Sequence, residues 1–146
     1  MKISSLKRDS AKAEEGQWID KLPGMGDLRL KVRGLSSFAF VRCHGAKQRA
    51  IPLSERAQDG SIKDELSYQL YGEALADAIL LDWDGIEADD GNSIAFDRKM
   101  AETWLTDPDY SHFADAVHNA AQRVDNQTQA KTEEVAKNSE GSSKAK

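Results

Sequence analysis

The chain has one cysteine, Cys43, so it cannot close an internal disulfide, and a reducing compartment is the simpler expectation. Long apolar runs are missing too. The longest candidate, AILL ahead of Asp82, stops at four residues, against the ~18 that a membrane span needs. The leading MKISSLKRDSAKAEE has basic residues but no apolar stretch, unlike a secretory signal. A cytoplasmic protein with no membrane partner is expected.

Cofactor chemistry also lacks its usual signals. His112 and His118 are six residues apart, about 240° around a helix, and cannot share a face. Cys43 and His44 are adjacent, and neighbours on a helix do not point at one another. The recurring spacing of a zinc site is absent. GMGD is too short for a phosphate loop and lacks the GK[ST] ending. No cofactor and no catalytic set is expected from these residues.

What is present is a polar globular composition, 31 % charged and 39 % hydrophobic over 146 residues, enough for one domain with a modest core. The charge is unevenly spread. Residues 16–61 carry eight basic against four acidic groups, whereas residues 62–125 carry four against fifteen. The acidic half would repel phosphates, so nucleic acid is not an expected partner.

The organisation predicted is α+β: an amino-terminal β-hairpin packed on a mostly helical body of three to four helices, with a flexible carboxy-terminal tail. Residues 1–15 read as a flexible lead, 16–125 as the single domain and 126–146 as a disordered tail. Leu28, Leu30 and Val32 alternate with Arg29, Lys31 and Arg33, the period of a strand with one buried face. Pro23, Gly24 and Gly26 supply the turn, giving a hairpin over 17–33. Ser36 or Ser37 is placed to cap a helix through Phe38, Val41 and Cys43.

Residues 62–82 read as the strongest helix. Leu66, Leu70, Tyr71, Ala74, Leu75, Ala78, Ile79 and Leu81 cover about half its circumference, wider than one neighbour usually needs. Leu66, Leu70, Tyr71, Ala74, Leu75 and Ala78 are therefore the candidate surface for a partner or for a second copy in a homo-oligomer. A shorter helix over 98–106 has Asp97 as cap, and Pro108 ends it. The last helix starts near Asp109, with Tyr110, Phe113, Ala114, Val117, Ala121 and Val124 on one stripe. After Val124 the apolar pattern stops.

Between these helices lies LLDWDGIEADDGNSIAFD. Read as an EF-hand it fails: from Asp82, Ile86 and Glu87 fall where a ligand and glycine are needed. An irregular cation site at Asp89, Asp90 and Asn92 is the one metal-enzyme alternative. Otherwise this is a structural corner, in which Leu80, Leu81 and Trp83 finish the preceding helix. Gly85 and the Asp90–Gly91 turn change direction, and Ile94 and Phe96 return to the core.

This corner, with the helix after it, closely resembles the tail assembly chaperones of long-tailed bacteriophages and prophages. The matching positions are Leu81, Trp83, Gly85, Ile86, Asp90, Gly91, Ile94, Phe96, Ala101, Leu105, Asp107 and Pro108, with Trp104 in the same structural motif. LRLKVRGLSSFAF also resembles the family's strand and following helix. The likeness covers roughly residues 15–125, most strongly 70–108. It implies a non-enzymatic protein that binds helical, apolar segments of the tape-measure protein in the bacterial cytoplasm. It also implies contact with the tail-tube protein, a longer frameshifted form of the same chain, and absence from the mature virion. A head–tail connector or tail-completion protein is the structural alternative.

Overall fold

The computed structural model describes the backbone of residues 1–144 and the side chains of residues 1–128. The architecture is α+β, a small antiparallel sheet set on a mostly helical body. In chain order the elements are α1 (Ser10–Glu15), β1 (Gln17–Ile19), β2 (Arg29–Val32), α2 (Phe38–Arg49), α3 (Asp64–Ala74), β3 (Leu80–Asp84), α4 (Arg98–Leu105) and α5 (Ser111–Lys144).

The hairpin forms as the alternation predicts. Trp18 pairs with Lys31 and Ile19 with Leu30, in antiparallel register. Ile19, Leu30 and Val32 are buried on the inner face. Outside, the Arg29 guanidinium lies 5.0 Å from the Trp18 ring centroid. Gly24 and Gly26 both have positive φ in the connecting loop, the conformation for which glycine has no steric penalty. Arg123 of α5 pins that loop by donating to the carbonyls of Asp20 and Lys21, both at 2.7 Å.

The helix predicted over 62–82 is two elements, not one. α3 ends at Ala74, a wider helical turn carries residues 75–79, and the chain then enters β3, the third strand. Leu80, Leu81 and Trp83 therefore lie in a strand rather than finishing a helix. The reason is a bulge. Lys31 pairs with Asp82 and Val32 with Leu80, so Leu81 is the extra residue. It shifts the alternation and turns both Leu80 and Trp83 inward, at 3 % and 4 % exposure. Buried residues three apart copy the spacing of a helix, and here sheet pairing decides between them.

The polar lead predicted for residues 1–15 is helical over α1. Asp9 accepts from the Lys12 amide, Ala13 is buried, and the Ala13 carbonyl accepts from Gly34. The Glu14 carboxylate accepts from the Phe38 amide, adding to the Ser37 cap at the start of α2. At the other end, Thr128 is buried and its hydroxyl donates to the Asp125 carbonyl at 2.9 Å. Packed helix thus continues past the predicted end at residue 125, and α5 keeps helical backbone to Lys144. The side chains of the rest of the predicted tail lie outside the described residues.

One core holds these parts together. Val117, Ala120, Ala121 and Val124 of α5 are wholly buried alongside Leu30, Val32, Ile79 and Leu105. Each large aliphatic side chain so buried contributes about 1.5–3 kcal/mol before entropy is counted.

Candidate functional site

The corner is assembled around Trp83. Its indole N–H donates to the Ile94 carbonyl at 2.8 Å. Trp104 stacks on it with centroids 5.3 Å apart, and Phe96 and Phe113 meet it edge-on. Gly85 has φ of +89°, and a Cβ there would lie 2.6 Å from the Asp27 carbonyl oxygen. Residues 86–94 close on themselves: Ile94 donates to Ile86, Ala88 to Asn92 and Gly91 to Ala88, each at 2.8 Å. Leu105 is fully buried, and Pro108 opens the short turn that leads into α5.

The acids of this loop are occupied or dispersed. One Asp90 carboxylate oxygen accepts from the Asn92 amide at 2.9 Å, and the other accepts from the Asn92 side chain at 3.0 Å. Asp89 is exposed. Among the described residues no three His, Cys, Asp or Glu side chains converge as a metal would require.

Of the six residues in the candidate partner surface, Leu70, Ala74, Leu75 and Ala78 are buried within the monomer. The wide arc is filled largely by α2, α4 and α5, which pack around this segment. Leu66 and Tyr71 stay half-buried. Tyr71 and Leu75 also line a surface cleft of about 420 Å³ between α3 and α5, shared with Tyr68, Leu105, Ala114 and Asp115. That volume lies in the roughly 300–1,000 Å³ range of ligand pockets.

The cleft is mainly apolar, with a few polar groups. The Tyr71 hydroxyl hydrogen-bonds His118 Nδ1 at 2.5 Å. Burial holds the Tyr71 phenol above its ordinary pKa. The Tyr68 hydroxyl is inaccessible and has no hydrogen-bond partner among the described residues. Burial raises its pKa too, followed by the nearby carboxylates of Asp115 and Asp107. A buried hydroxyl left unpaired costs roughly 1–3 kcal/mol. Tyr68, Ala114, Asp115 and His118 escape a sequence reading because no motif joins them. The available hint was a second tyrosine three residues before Tyr71, on the same helix face.

Behind the cleft, Tyr71 meets His44 and Phe40 edge-on, and those two rings stack at 5.4 Å. Burial lowers the His44 pKa. Further along the same face of α2, Lys47 bonds Asp77 at 3.0 Å and Glu73 at 3.6 Å, and Arg98 also pairs with Asp77. This network clamps α2 to α3 and α4. Cys43 sits beside it, its thiol pKa pushed up by burial and by Asp77, which is the opposite of an activated nucleophile.

With these elements in place, the chain matches the YdaY prophage protein family over residues 43–138, from within α2 into α5. The chain belongs to that family. The match takes in the corner and every residue named in the cleft. No curated protein and no solved structure matches the chain. Among the described residues no helix is long and apolar enough to cross a membrane.

Proposed function

We propose that the chain is a non-enzymatic tail assembly chaperone. In the cytoplasm of the bacterial host it holds helical, apolar segments of the tape-measure protein until tail-tube subunits assemble, and it is left out of the finished virion. The observation that carries this reading is the cleft between α3 and α5, apolar in its walls and holding an unpartnered hydroxyl. Family membership supports a prophage role, and the likeness of the corner to tail assembly chaperones supports the finer one. The dispersed acids and the raised Cys43 pKa favour contact over catalysis as its work.

Co-expression with the cognate tape-measure protein tests the proposal. The expected outcome is a soluble complex that copurifies. A tape-measure protein equally insoluble with and without the chain would overturn it. Purified virions give a second check: the chaperone is expected to be absent, whereas stoichiometric recovery would favour a head–tail connector or tail-completion protein.

A further inference from the structure

Two surface cavities flank the same stretch of α5, and one residue lines both. The first is the cleft of about 420 Å³, with Ala114 and His118 in its α5 wall. The second, about 430 Å³, lies between α5 and the β1–β2 loop, with Leu22 and Met25 on one side and His112, Ala116 and Asn119 on the other. Asp115 belongs to both walls. At 100° per residue, Ala114 and His118 fall on one flank of Asp115 and Ala116 on the opposite flank. The helix therefore presents a ridge with a carboxylate at its crest and a hollow on each side.

That carboxylate is exposed and has no hydrogen bond or ion pair among the described residues. Neither cavity has a lysine or arginine in its walls, and residues 62–125 carry an excess of eleven acidic groups. The site has a partly apolar hollow on each side, floored by Leu75 and Leu105 or by Leu22 and Met25, and an unpaired carboxylate in the middle.

We propose that this ridge is the docking site of a basic amphipathic helix. The helix crosses α5, seats an apolar side chain in each hollow and sets a lysine or arginine on Asp115. The occupant's pattern is apolar, basic, apolar at positions i, i+3 or i+4, and i+7, which share one helix face. The proposal rests on the chaperone reading for the source of the helix, while its chemistry comes from the ridge itself.

The test titrates the full chain, at low salt, with a labelled synthetic helix of about 18 residues, long enough to span the ridge. The peptide carries leucine on one face and lysine on the other, and its partner peptide has glutamate in place of lysine. By fluorescence anisotropy the lysine peptide is expected to bind at least about tenfold more tightly. Asp115→Lys is expected to reverse that preference, and Ala114→Trp, which fills the first hollow, to weaken both peptides about tenfold. Asp89→Asn, an exposed acid in the corner loop, is expected to leave both affinities unchanged. Asp115 is exposed, so its variant keeps the fold; if Ala114→Trp fails a circular dichroism check, Ala114→Met takes its place. Equal binding of the two peptides, no binding of the lysine peptide, or parental affinities in Asp115→Lys would each overturn the proposal. Co-expression separates this from the chaperone reading. If Asp115→Lys still solubilises the tape-measure protein fully, the ridge assignment fails and the chaperone stands. If the lysine peptide binds the ridge but the tape-measure protein stays insoluble, the chaperone reading fails and the ridge stands.

Discussion

At the corner, the Trp83 indole is covered by Trp104, Phe96 and Phe113, and its one polar atom reaches the Ile94 carbonyl. In the cleft, two tyrosines and two leucines supply similar material, yet a cavity of about 420 Å³ remains and the Tyr68 hydroxyl bonds nothing. The two regions adjoin, since Leu105 closes the helix that follows the corner and also lines the cleft. Aromatic content therefore does not separate structural from functional surface. Satisfaction does: a region whose polar atoms are paired and whose rings interlock is finished, while one with an orphan donor and empty volume still has a contact to make.

The largest expected effect belongs to the finished region. Trp83→Ala removes the centre of the ring cluster and leaves the Ile94 carbonyl without its donor, and a loss of about 3–5 kcal/mol is expected. Asp89→Ala, in the exposed loop close by, should fall within about 0.5 kcal/mol of the parent. Urea melts of the two variants check this. A larger loss in Asp89→Ala would mean that the loop, not the ring cluster, holds the corner.

Next comes the wall between the regions. Gly72 lies where α3 crosses the end of α4, and a Cβ there would collide with the Leu105 carbonyl and reach the Thr106 methyl group at 3.2 Å. Gly72→Ala is expected to cost about 1–3 kcal/mol by forcing the helices apart, even though alanine is the better helix former. A variant as stable as the parent would show that α3 and α4 can slide, and that the cleft has no fixed width.

These two positions also mark how far the sequence was legible. The hairpin, the Ser37 and Asp97 caps and the corner's turn glycines, Gly85 and Gly91, could be read because each depends on neighbours close in the chain: alternating side chains, a capping hydroxyl or carboxylate, a glycine at a turn. β3 misled because the bulge at Leu81 places buried residues at helical spacing. α1 was hidden because its attachment runs through backbone carbonyls, the Glu14 carboxylate and one alanine, none of which leaves an apolar pattern. The cleft could not be read at all. It forms where α3, α4 and α5 meet, and a void has no residue of its own. The collision at Gly72 that sets its wall exists only once Leu105 is across from it.

A smaller effect of opposite sign is expected inside the cleft. Tyr68→Phe removes a hydroxyl that has no partner, so the isolated protein should be unchanged or up to ~1 kcal/mol more stable. Because that hydroxyl is closed off, the same substitution should leave the affinity for the lysine peptide unchanged. Thermal melts of the free protein and peptide anisotropy, measured on one preparation, check both expectations. A clear loss of stability in the free protein would return Tyr68 to the finished, structural side of the comparison.

The smallest effect concerns His44, stacked on Phe40 and edge-on to Tyr71 behind the cleft. Burial lowers its folded-state pKa, so the unfolded chain takes up this proton first on acidification. Its contribution is complete above the unfolded value of roughly 6.5 and is lost as pH falls towards and through the lower folded value. Carboxylates add their own acid sensitivity, so the informative quantity is a difference between two proteins. His44→Phe keeps a ring between Phe40 and Tyr71 but cannot titrate. Melting temperatures compared between about pH 7.5 and 5.5 should fall less in His44→Phe than in the parent, by a margin near the precision of the melts. Equal slopes would mean that His44 accepts its proton without leaving the stack, and that the wall behind the cleft is as wet as its mouth.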